Sequence, residues 1–285
     1  MTHQQHLDQP EPWAQKAELL AKGFKRYRAA LDALPHESRR PLVIKPSFHR
    51  HLTFLTPLDG WGTVADTHLG FMLTNEVNSF GQGLEKLAAW ARELDAADIG
   101  EKQELLLEFV IPLAAHVLNL PFALKNRFAF AAMRLSDEVN QLCNREPERL
   151  ERTSDDMKSP RWKDIWCYCA HWTRYPQVKN AVEKICLAGN SRVSRVDTYR
   201  DRFVHRIPHY IGLGILETTS VEWDERRWTA TTSNFPPLDL LEIVKELTPV
   251  HEACRQAHAE LCALADEQWQ HVHPLLARSG SEAYP

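Results

Sequence analysis

Residues 105–124 read Leu105-Leu-Leu-Glu-Phe-Val-Ile-Pro-Leu-Ala-Ala-His-Val-Leu-Asn-Leu-Pro-Phe-Ala-Leu124, and the class of fold turns on them. A membrane span asks for roughly 18 or more nearly uncharged residues. This stretch carries Glu108, His116 and Asn119, with Pro112 and Pro121 as two helix breakers. A charge in hydrocarbon is expensive, and it is cheap at the edge of a soluble core. The stretch is therefore expected to be a buried helix, and no membrane is expected as a partner.

Helical patterning extends on both sides of it. Pro121 suits a first helical turn, so the pattern predicts one helix from about 100 to 120 and another from 121 to 144. Upstream, 66–94 reads as a helix bent near Gly81 and Gly83. Residues 12–34 read as another, with Trp13, Ala17, Leu20, Phe24, Tyr27 and Leu31 along one side. Between these two, Pro41, Pro46 and Pro57 punctuate short β-branched and aromatic runs. That predicts an extended insertion at about 35–63 crossing the helical body.

Residues 144–160 alternate charge (Arg145, Glu146, Glu148, Arg149, Glu151, Arg152, Asp155, Asp156, Lys158) and lack apolar content. They form either a domain boundary or an exposed charged linker, and a single helical domain over 1–285 is the favoured reading. Short helices are expected at 161–172 and 176–187. The period then changes: 211–222 and 227–232 are rich in Ile, Thr, Val and Trp, which predicts a small β-hairpin at about 211–232. A last helix, 238–276, should kink or restart at Pro249. The fold class is thus mainly α, a helical bundle with one extended insertion and one hairpin.

Composition narrows the function classes. The 285 residues are 44% apolar and 25% charged with a net charge of −4, so the whole molecule has no bias toward nucleic acid and any anion site must be local. The start, 1–12, is polar and lacks the apolar core of a signal peptide. Six cysteines lie scattered through predicted helices, the usage of reduced thiols in a cytoplasmic protein. No Gly-rich phosphate loop, HExxH, GxSxG or dinucleotide fingerprint is present, and no cofactor is expected.

One stretch concentrates chemistry. Ser194–His209 opens with a capping-box pattern, Ser194 followed by Asp197, and ends near Pro208, which cannot continue a helix. Val196, Tyr199, Phe203 and Ile207 make an apolar stripe. Arg192, Arg195, Arg200, Arg202 and Arg206 crowd it against two acids, Asp197 and Asp201.

Within it, Arg200-Asp201-Arg202-Phe203-Val204-His205 resembles the R-[N/D/H]-x3-H signature of the HEPN superfamily. These are small all-helical domains, many of them metal-independent ribonucleases acting as dimers. The resemblance implies His205 as general acid/base for 2′-hydroxyl attack on the adjacent phosphate, a role a near-neutral imidazole suits. It implies Arg200 as the cation stabilising the phosphorane. Asp201, one turn before His205, would orient the ring. Arg202, Arg206 and His209 would hold the substrate, and RNA and a second copy of the chain would be the partners. On an ideal helix Arg200 and His205 lie about 140° apart. Their convergence is expected across a dimer axis or at a distorted helix end.

Three other groups attract notice. His251, Cys254 and His258 fall at i, i+3 and i+7 on one helical face, where a metal or haem could be chelated; a polar break in a packing seam is the alternative. Cys167, Cys169 and His171 lack zinc-type spacing. His49-Arg50-His51 would add positive charge to the insertion. A non-catalytic helical scaffold, its basic helix docking an acidic partner, is the competing function.

Overall fold

The computed structural model describes residues 12–44, 60–143, 165–185, 199, 210–214, 216–224 and 227–282. Helix dominates, as the patterning predicts. Helix α1 is Pro12–Asp32 and a 3-10 turn follows at His36–Ser38. Helix α2, Gly60–Val64, passes through a π-helical stretch, Ala65–Leu73, into α3, Thr74–Ala96. Helix α4, Ile99–Leu105, passes through a second π stretch, Leu106–Val110, into α5, Ile111–Leu142. A 3-10 turn at Trp166–Cys169 precedes α6, Tyr175–Lys184. Strands β1, Leu216–Asp224, and β2, Arg227–Phe235, lead into α7, Leu240–Glu282.

The last helix runs through Pro249 without a restart. Two boundaries differ from expectation. Pro121 does not start a new helix but sits inside α5. The helix expected at 66 begins at Gly60, inside the insertion predicted as extended. The apolar residues around Pro121 explain the first case: Leu118, Leu120, Leu124 and Phe128 are all buried, and their packing outweighs one lost backbone hydrogen bond. Pro112 is accommodated differently. An α-helical residue 112 would donate to the carbonyl of Glu108, and Glu108 lies within the π stretch that ends at Val110. By length and composition Ile99–Leu142 could also cross a membrane.

The chain divides into two compact units. The first takes Met1–Arg40, Gln82–Asn119 and Ser191–Leu247. Here α1 lies along a narrow seam: Tyr27 stacks on Trp90 at 4.3 Å, and Trp90 on Phe109 at 5.4 Å. Arg26 bridges Glu93 and Glu101, each at 2.5 Å. Asp98 caps α4, its Oδ1 accepting from the amides of Gly100 and Glu101 at 3.0 and 2.9 Å.

The hairpin belongs to this unit. It pairs antiparallel from Leu216↔Phe235 to Asp224↔Arg227, and its turn at 225–226 is outside the described residues. Its base is closed by a parallel bridge between Ile211 and Leu238. The Gly212 amide donates to the Leu238 carbonyl at 2.9 Å, and the Leu238 amide to that of Tyr210 at 2.7 Å. Gly212 has φ +74°, and a Cβ there would stand 2.6 Å from Leu106 Cδ2. Gly212→Ala should therefore cost about 3 kcal/mol, from the left-handed backbone together with overpacking against a buried leucine. Chemical denaturation of the purified variant measures it, and an unchanged midpoint would refute the clash.

The second unit takes Pro41–Gly81, Leu120–Asn190 and Thr248–Pro285. Residues 41–44 have no regular secondary structure. The Val43 amide donates to Asn78 Oδ1 at 2.8 Å, and Asn78 Nδ2 donates to the Val43 carbonyl at 3.0 Å. One side-chain amide thus does the work of a ladder partner.

A polar chain runs through the core of this unit. Trp61 Nε1 donates to Gln268 Oε1 at 3.1 Å, Gln268 Nε2 to Ser136 Oγ at 3.0 Å, and Ser136 Oγ to Cys169 Sγ at 3.4 Å. Trp61, Gln268 and Ser136 are fully buried, so each link replaces hydration lost on folding.

Helix α6 has no cap of its own, and α7 supplies one. Glu267 accepts from the Thr173 amide and hydroxyl, both at 2.9 Å, and from the Arg174 amide at 3.1 Å. Burial alone would raise this carboxyl. The three donors and the charge of His271 outweigh burial and hold it below the usual 4.5. Its stabilising effect is therefore full above pH 4.5 and is lost as pH falls through the lower folded value. Glu267→Gln should cost about 1 kcal/mol at pH 7, and the difference from wild type should shrink below pH 4. Urea unfolding at both pH values tests this; a gap that persists at low pH contradicts it.

Candidate functional site

Every residue of the Arg200–His205 motif, and Arg206 and His209 with it, lies outside the described residues. Tyr199, immediately before the motif, is described: it is helical and 2% exposed, and burial raises its hydroxyl above the usual range. Its burial matches the apolar stripe read from the sequence. His49, Arg50 and His51 also lie outside the described residues.

The histidine–cysteine face of α7 is described in full. His251, Cys254 and His258 are all buried, His258 to 3% exposure. They do not converge. His251 Nε2 lies 3.2 Å from the Val77 carbonyl, and its ring stands edge-on to Phe80 at 5.5 Å. Because a carbonyl can only accept, that nitrogen carries the proton. His258 turns elsewhere, with Nε2 2.9 Å from Thr74 Oγ1 and Nδ1 3.6 Å from Cys262 Sγ. Among the described residues no group of three or more His, Cys, Asp or Glu is arranged to hold a metal.

The hydrogens around His258 have one consistent direction. Thr74 Oγ1 lies 2.7 Å from the Leu69 carbonyl and must donate its single proton there. It can then only accept from His258, so Nε2 carries the ring proton. Nδ1 is left as an acceptor for the Cys262 thiol. Burial lowers His258 from 6.5 to about 4, so the ring is neutral near pH 7. Burial, with Asp266 adding to it, pushes the Cys262 thiol up to about 12. A thiolate–imidazolium pair is thereby disfavoured, and this is not an activated nucleophile.

Thr74 and Cys262 are the members of this set that sequence reading missed. Cys262 had a signal, since it continues the i, i+4 spacing from His258. Thr74 had none: it is 184 positions away from His258. Its hydroxyl lies just past the π stretch, which ends at Leu73, and donates to the Leu69 carbonyl within it. π turns recur where side chains are re-aimed at functional positions.

Cys167, Cys169 and His171 do not form a site. Cys169 is buried beneath Ser136, and burial raises its thiol to about 12. Cys167 is half-buried and His171 exposed. Comparison of the chain with protein families, curated proteins and solved structures finds no match.

Proposed function

We propose that this protein is a HEPN-like, metal-independent ribonuclease, a cytoplasmic homodimer that takes RNA as substrate without a cofactor. The observation that carries the reading is the Arg200-Asp201-x3-His205 spacing in a mainly α-helical chain. Tyr199, immediately before the motif, is itself helical and buried, as a member of the apolar stripe would be.

His205 takes the proton of a ribose 2′-hydroxyl as the oxygen attacks the adjacent phosphorus. The 5′-oxygen leaves with a proton returned from the imidazolium, and a 2′,3′-cyclic phosphate remains. Arg200 stabilises the charge on the phosphorane and Asp201 holds the imidazole tautomer. Arg202, Arg206 and His209 hold the flanking phosphates. The dimer brings Arg200 of one copy and His205 of the other to a common cleft.

Labelled RNA incubated with the protein in excess chelator tests this. The wild type should cleave, and His205→Ala should cleave at least about 100-fold more slowly. Undiminished cleavage by the variant removes His205 from the mechanism. If the wild type itself is inert, the cluster of five arginines at 192–206 is better read as a docking face for an acidic partner.

A further inference from the structure

We infer that His258 and Cys262 form a two-coordinate site for a soft monovalent cation, Cu(I) or its redox-inert stand-in Ag(I). The inference is independent of the nuclease reading and uses none of its residues.

Three observations lead there. The two donor atoms, His258 Nδ1 and Cys262 Sγ, face each other at 3.6 Å from successive turns of α7. The Thr74–Leu69 hydrogen bonds fix the ring proton on Nε2, so the Nδ1 lone pair accepts the Cys262 S–H, the proton a metal would replace. That is the arrangement in which metal-ligating histidines are held, with the far N–H donated to a fixed oxygen. Among the described residues no third ligand joins the pair, which disfavours zinc and suits ions content with two donors.

Charge selects further. A thiolate and a monovalent cation sum to zero, which a desolvated position tolerates, whereas a divalent ion would leave a buried net charge. Asp266, one turn beyond Cys262, is the charged group nearby, and it favours a cation. Binding is a proton exchange without electron transfer. The Cys262 S–H bond breaks, the sulfur–metal bond forms, and the proton goes to solvent. Two metal–ligand bonds of about 2 Å need the donors about 4 Å apart, a small opening from the contact distance.

The test adds one equivalent of Cu(I), as its acetonitrile complex, to the full chain under anaerobic conditions. X-ray absorption should show one sulfur and one imidazole nitrogen around copper. Two sulfur neighbours, the signature of binding by other cysteines, would overturn the assignment without any variant being made. In parallel, Ag(I) affinity should fall about 10- to 100-fold in Thr74→Val, which leaves both ligands in place and removes only the hydroxyl that holds the His258 ring. It should fall further in His258→Gln and Cys262→Ser, with far-UV circular dichroism confirming the fold. Unchanged affinity in all three variants would overturn it equally.

Discussion

Lowering the pH from 6.5 to 4 should cost the protein on the order of 3 kcal/mol through His258 alone. The ring is buried, and the folded state resists its protonation down to about 4, whereas the unfolded chain accepts the proton near 6.5. Between those values the unfolded state binds more protons, so stability rises with pH and falls on acidification. Below about 4 both states are protonated and the loss levels off. The groups facing the ring explain the resistance. Thr74 already accepts from Nε2, and a proton on Nδ1 would meet the Cys262 thiol, itself held in its protonated form. His68, lowered by burial and by Arg134, adds a smaller effect of the same sign. His258→Leu should flatten the dependence, measured as urea midpoints at pH 7, 5.5 and 4.5. Parallel curves for variant and wild type would show that this ring is not the cause.

Trp61→Ala should be the most damaging single substitution among those considered, at about 3–5 kcal/mol. Trp61 has no exposed surface, stacks against Trp269 at 5.8 Å and donates to Gln268. Removing it opens a cavity and strands one end of a buried hydrogen-bond chain. Trp61→Phe separates the two effects. It keeps most of the ring and leaves Gln268 Oε1 without this donor, which should cost about 1–3 kcal/mol. Replacing Gln268 by Leu in the Trp61→Phe background should then restore part of that loss, since removing both polar partners is cheaper than removing one. Additive losses in the double variant would show that the link carries no coupling.

How much of this was legible in the sequence depends on how local the cause is. Helix α1 and the hairpin follow from near-neighbour patterning, and their residues fall close to where periodicity puts them. The helix start at Gly60 was hidden, because three prolines and short β-branched runs dominate the preceding window. Pro121 misled for a related reason. A proline is a reliable boundary only when the residues on either side of it are not held by burial, and no local rule reports that. The α6 cap comes from Glu267, 94 positions from Thr173, and the partner that fixes the His258 tautomer comes from 184 away. Such pairings exist only after the chain has folded. For the motif at Arg200–His205, sequence supplies residue types and spacing, and its geometry lies outside the described residues.

The π stretch at Ala65–Leu73 also has a bearing on chain length. Each π turn carries about one residue more than an α turn, so the helix holds an extra residue here without breaking. Deleting a single residue there could restore regular α geometry, yet it would swing everything on the amino-terminal side by about 100° relative to Thr74. Trp61 would then leave its slot beside Gln268. A change of length at this point would suit the backbone and break the core, so the extra residue is what keeps Trp61 in register with Gln268.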